Sequence, residues 1–162
     1  MSGARRLLLA GGIALALWGM GYGLWYAVFD EHQALDKIGS SLAAGFAGAA
    51  SRNPELTGQA LLQYQQAKYV YDRQVDVHGH WIGLAMVLIV LGIGLDRLQF
   101  SEKIKMLLSV SALLGSFLFP LGVLLQTADH GSAPRALAVL GSALVIVALA
   151  AFALGFARKS AA

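Results

Sequence analysis

Cysteine is absent from this 162-residue chain. That removes disulfides, thiolate metal ligands, iron–sulfur clusters and covalent c-type haem attachment. Charge is scarce as well: Lys, Arg, Asp and Glu make up 13% of residues against 57% hydrophobic ones, a balance too apolar for a soluble domain. No Gly-x-Ser-x-Gly elbow, phosphate loop or His-Glu-x-x-His motif occurs, so hydrolytic chemistry has no motif to rest on. Transporters carry ionisable or broken-helix features near the bilayer midplane; here the one kink signal is Pro120 in "SFLFPLG".

What the chain does have is long apolar runs. Leu7 to Phe29, Val77 to Leu95, Met106 to Ala128 and Ala136 to Ala157 contain no Lys, Arg, Asp or Glu, and each meets the roughly 20 residues that a bilayer asks for. These runs predict an all-α integral membrane protein of four transmembrane helices, organised as one domain over 1–162. The opening "RRLLLAGG" reads as the start of a span, because its apolar run is longer than the usual ~7–15 residues of a secretion signal and no small-residue cleavage site closes it.

Charge asymmetry sets the expected orientation. Arg5, Arg6, Arg97, Lys103, Lys105, Arg158 and Lys159 face Asp96 and Glu102 on one side, whereas the other side holds five basic and seven acidic residues. Both termini are therefore expected in the cytoplasm of a cell whose inner (plasma) membrane holds the chain. The net charge of +3 is topological and gives no argument for nucleic acid.

Residues 30–76, between the first two spans, are too polar to cross and too regular for a loop. Leu35, Ile38, Leu42, Phe46 and Ala49 recur at helical spacing, as do Leu61, Tyr64, Lys68, Tyr71, Val75, His78 and Ile82. Between them Asn53 suits an N-cap, Pro54 the first helical position and Glu55 the positive helix end. The first two spans are expected to run on as long helices that join in an outer-side helical hairpin; the alternative is an interfacial helix lying flat. Small residues, Gly12, Ala16, Gly19 and Gly23 on the first helix and Gly79 and Gly83 on the second, predict close helix contact or, alternatively, room for a flat cofactor.

All four histidines fall at the outer boundary: His32 after the first span, His78 and His80 opening the second, His130 closing the third. Each travels with a carboxylate, in "DEH", "DVHGH" and "DH", as metal-binding imidazoles commonly do. Asp76 and His80 are four residues apart and can touch, while His78 and His80 differ by about 200° around a regular helix. His78 is the inward candidate and His80 shares the Asp72 and Asp76 face. Haem b needs one or two imidazoles and an apolar slot. His78 and His130 are the expected axial pair, with His32 and His80 as substitutes. Tyr71, Trp81, Trp25, Phe29 and Met86 are candidate walls; Asp76, Asp129, Arg73 and Arg135 are supporting groups, and Lys68 and Arg52 further cations for the propionates. Copper or zinc would instead draw His32, His78 or His80, and His130 with Asp129 to one point.

The "HGHWIGLAM" segment resembles the opening of the second transmembrane helix in subunit I of haem–copper oxidases, where a His followed by Gly supplies a haem ligand. That resemblance covers about ten residues and implies His78 as axial ligand. Four spans and an incomplete histidine set depart from that family, so oxygen reduction is not implied. A second similarity is to small prokaryotic membrane proteins with a histidine pair opening a helix after an outer segment.

The sequence therefore leads to a membrane-bound haem b protein in electron transfer, serving a redox partner protein or quinol. The alternatives are a copper or zinc protein using the same histidines and a cofactor-free accessory subunit of a homo-oligomer or larger membrane complex. The orientation is open to cysteine labelling: Cys at Glu55 should react with an impermeant reagent in intact cells and Cys at Gln99 should not. The reverse pattern overturns it.

Overall fold

Each helix begins where the sequence supplies a partner for its unpaired N–H groups. The computed structural model describes residues 1–157, so Arg158 and Lys159 of the charge count lie outside the described residues. Its α-helices are α1 (Gly3–Phe29), α2 (Glu31–Ala50), α3 (Pro54–Gly94), α4 (Glu102–Leu125) and α5 (Ser132–Ala157), with a 3₁₀ turn at Leu95–Arg97. Asn53 Oδ1 accepts from Leu56 N at 3.1 Å, with Pro54 as the first residue of α3. Ser101 Oγ accepts from Ile104 N at the start of α4. Both caps are the ones expected from the sequence. Four helices are long and apolar enough to cross a membrane: α1, α3 with its 3₁₀ extension, α4 and α5. The chain is built as a multi-pass membrane protein for a lipid bilayer.

The expected continuation of both spans holds for one of them. α3 is unbroken from Pro54 to Gly94, about 60 Å at 1.5 Å per residue and twice the hydrocarbon thickness. α1 instead stops at Phe29, and Asp30 sets α2 off as a separate helix.

The described chain falls into two compact units, one formed by Met1–Met20 with the chain from Val77 on, the other by Gly21–Asp76. In the first, α4 and α5 pack most closely. Pro134, Ala138, Gly141, Val145, Ala148, Phe152 and Gly155 form the buried side of α5 at three- and four-residue intervals. A Cβ on Gly141 would collide with the backbone of Phe119, and one on Gly122 with that of Ala138. α1 approaches α3 likewise: a Cβ on Gly12 would lie 3.1 Å from Ala85 O, and one on Gly19 3.0 Å from Trp81 Cβ. Gly79 and Gly83, expected at helix contacts, face open space instead. Trp81 is fully buried, edge-on to Trp18 at 5.9 Å and stacked on Phe117 at 6.3 Å. Pro120 has no N–H for the carbonyl of Ser116; the next carbonyl along, that of Phe117, accepts the indole N–H of Trp81 at 3.3 Å.

At one end of this unit charges are paired: Arg5 Nη1 donates to Asp96 Oδ2 at 2.6 Å, and the buried Lys105 donates to Glu102 Oε1 at 3.2 Å. Such pairing lets a buried ammonium persist.

In the second unit, α2 closes on a left-handed turn. Arg52 N donates to Ala49 O at 3.1 Å and Asn53 N to Gly48 O at 2.8 Å, with Arg52 at φ 52°. This is a Schellman-type cap with arginine where glycine is usual. Beyond it Gly48 meets Thr57, and Gly45 meets Ala60 at 3.7 Å, each measured from an added Cβ. The apolar face expected on α2 turns away from α3: Leu35 and Leu42 are exposed and Phe46 is 74% exposed. Facing positions on α3 are Ala60, Gln63, Ala67, Val70 and Gln74, one residue earlier than the expected stripe of Leu61, Tyr64, Lys68, Tyr71 and Val75.

Two substitutions test this packing by thermal unfolding in detergent. Gly141→Ala should lose about 1–3 kcal/mol by overpacking, and an unchanged melting temperature would contradict the close α4–α5 approach. Arg52→Gly should gain about 0.5–1 kcal/mol, because the left-handed cost to an L-residue of ~1–2 kcal/mol exceeds the entropy glycine loses on folding. A loss there would contradict the cap.

Candidate functional site

The histidine pair sits on α3, and the helix continues without a break through Gly79. The two rings therefore point about 200° apart, as regular geometry requires. His78 is half-buried, and its Nδ1 is shut off from solvent with no hydrogen-bond partner. No carboxylate holds that nitrogen, contrary to the expectation that every histidine is oriented by a neighbouring acid. His80 is exposed and meets Phe119 of α4 edge-on, centroids 4.9 Å apart at 88°.

The other two histidines are placed differently. His130 is exposed in the link between α4 and α5, where Asp129 Oδ1 accepts from Gly131 N at 2.7 Å. Asp129 thus stabilises the turn. His32 belongs to the Gly21–Asp76 unit, exposed on α2, with Nε2 at 3.5 Å from Asp36 Oδ2; its carboxylate is one turn onward and not the adjacent Asp30. Among the described residues no three His, Cys, Asp or Glu side chains come together as a metal site. The convergence of His32, His78 or His80, and His130 with Asp129 required for copper or zinc is therefore not formed.

The candidate walls and cations are similarly dispersed. Trp81 is buried, as part of the cluster with Trp18 and Phe117. Trp25, Phe29 and Met86 are exposed, and Tyr71 is half-buried. Beside His78, the α3 surface at Gly79 and Gly83 is open, with no atom within 4 Å of an added Cβ. Arg73 lies over the Tyr69 ring at 5.2 Å, while Lys68 donates to both carboxylate oxygens of Asp72 at 2.8 Å. Arg52, Asp76 and Arg135 are exposed. A haem group fits this arrangement in two respects: a ring nitrogen out of water without a protein partner, and a flat open surface beside it.

Sequence reasoning missed the concave feature of the Gly21–Asp76 unit. A cavity of about 580 Å³ lies between α2 and α3, lined chiefly by polar side chains. Its signal was present: Gln63, Gln66 and Gln74 share one face of α3 at helical spacing, and Gln33 and Lys37 share one face of α2. Hydrophobic periodicity, which counts apolar residues, passes over such a face. Comparison with protein-family models, with curated proteins and with solved structures found no match for this chain.

Proposed function

We propose that the chain is a membrane-bound haem b protein in electron transfer, lying in a cell's inner (plasma) membrane with both termini cytoplasmic, and that His78 is an axial ligand. The observation that carries this reading is the buried, partnerless Nδ1 of His78 on a helix long enough to span the bilayer. A buried polar atom left unpaired costs about 1–3 kcal/mol. An axial role gives the imidazole a partner of the kind that the protein itself does not supply. Haem iron asks for only one or two imidazoles, which agrees with histidines that do not cluster. Copper or zinc asks for three or four converging ligands, which the described residues lack. The open α3 surface at Gly79 and Gly83 offers a flat face next to His78, and His130 stands as the second candidate ligand. When bound, haem supplies one-electron chemistry; the chain's own part is to present the imidazole and to keep Trp81, Trp18 and Phe117 packed behind it.

A second reading, a cofactor-free accessory subunit of a larger membrane complex, draws on the exposed Leu35, Leu42 and Phe46 of α2. Such an apolar face outside the spans suits contact with another chain. The two readings part on the absorption spectrum of protein purified in mild detergent. A Soret band that shifts on reduction is expected, lost in His78→Ala and kept in His80→Ala with an altered potential. Absence of the band, or its survival in a folded His78→Ala protein, overturns the haem assignment.

A further inference from the structure

The cavity in the Gly21–Asp76 unit inverts the usual order of a helix pair. Its interior seam is polar, whereas Leu35, Leu42, Phe46, Leu61 and Leu62 lie on the exposed surface. Helices that pair in water normally bury the apolar stripe, so a polar seam needs its own explanation.

Tyr26 supplies one. Its side chain lines the cavity, the residue is only 4% exposed, and its hydroxyl is shut off from solvent with no hydrogen-bond partner. Leaving such a hydroxyl unpaired costs about 1–3 kcal/mol, so the site calls for an occupant that bonds to it. The surrounding groups define that occupant's chemistry. Gln33 from α2 and Gln63, Gln66 and Gln74 from α3 line the same space, and each amide offers both donors and an acceptor. Two of them are held in place: Gln33 Nε2 donates to Phe29 O at 3.1 Å, and Gln74 Oε1 accepts from the Tyr22 hydroxyl. Their remaining capacity, the acceptor of Gln33 and the donors of Gln74, is left for the cavity.

Asp30 and Lys37 also line the space. They stand seven residues apart on the chain, about 10 Å along a helix, and so do not neutralise each other by contact. Their charges cancel in sum, giving the site no preference for a net anion or cation. Ala34, Ala67 and Val70 add a small apolar strip. Amides in number, a buried hydroxyl, no net charge and a narrow apolar floor complement a ring with hydroxyls at its edge and C–H bonds on its face. A volume of about 580 Å³ falls within the range of small-molecule sites, roughly 300–1,000 Å³.

We propose that this cavity binds an uncharged, hydroxyl-rich ring, the chemistry shared by free saccharides and the sugar headgroups of glycolipids, with Tyr26 and the four glutamines as its recognition groups. This site is separate from the haem assignment and does not rest on it.

The test uses the full chain in phosphatidylcholine nanodiscs, since maltoside detergents carry the proposed ligand chemistry themselves. In one arm, glucose, maltose and myo-inositol are titrated by calorimetry. In the other, a monoglucosyl diacylglycerol is included in the disc and its retention read by native mass spectrometry. Saturable binding in the first arm identifies a soluble sugar, and selective retention over phosphatidylcholine in the second a glycolipid. Tyr26→Phe removes one hydroxyl that has no protein partner, so the variant should fold with unchanged or raised thermal stability. Its affinity for the bound probe should fall about three- to tenfold, the loss of one neutral hydrogen bond. Gln66→Leu, at an exposed position, should weaken binding similarly. Absence of binding in both arms, leaving water as the only occupant, overturns the proposal, as does wild-type affinity in folded Tyr26→Phe.

Discussion

Close approach of one backbone to another is the constraint on which the membrane unit depends. Between helices in lipid, burying leucine against leucine gains little over leaving it against acyl chains, so van der Waals contact at short range must do the work. Gly122 and Gly141 mark where α4 and α5 come too close for any side chain, and Gly12 and Gly19 do the same for α1 against α3. The large apolar residues are thereby displaced to the outside: Leu17, Leu107, Ile146 and Leu154 are exposed, as lipid contact requires. The core that remains is small except at the Trp18, Trp81 and Phe117 cluster.

The features legible in the sequence were those decided locally. A span needs only its own composition, and a cap needs only a few neighbouring residues, so the four spans, the Asn53–Pro54 start and the Ser101 cap were readable from short stretches. Which face of a helix meets its neighbour is decided elsewhere. On α3 the strongest periodic signal, Leu61 to Val75, is one residue away from the face that packs, because Ala60 and the glutamines are weak in hydropathy yet permit close approach. Gly79 and Gly83 resembled a contact motif, but a small residue permits contact without creating it, and no neighbouring helix surface lies opposite them. The break at Asp30 had no strong punctuating residue to announce it.

The histidines show the same division. Their position along the helices was readable, as was the divergence of His78 and His80, which follows from an unbroken helix. Their partners were not. Adjacency in sequence suggested a carboxylate for each, yet His32 meets Asp36 one turn later, Asp129 turns back onto Gly131, and His78 retains a buried nitrogen without a partner. A neighbour in the chain is a neighbour in space only at the spacing that the helix dictates.

The separate identity of α2 has a consequence for membrane insertion. With four spans, an even number, the two ends of the chain emerge on the same side; a fifth crossing would place them on opposite sides. α2 is 20 residues long, and so long enough to be that crossing. Glu31, Asp36 and Lys37 oppose it, since an ionised side chain near the bilayer centre costs about 2.5–3.5 kcal/mol while each leucine returns only about 0.3–0.6. The uncharged remainder, 38–50, is about 13 residues, too short to span alone. The parity of the whole chain thus rests on three charges within the first two turns of one helix.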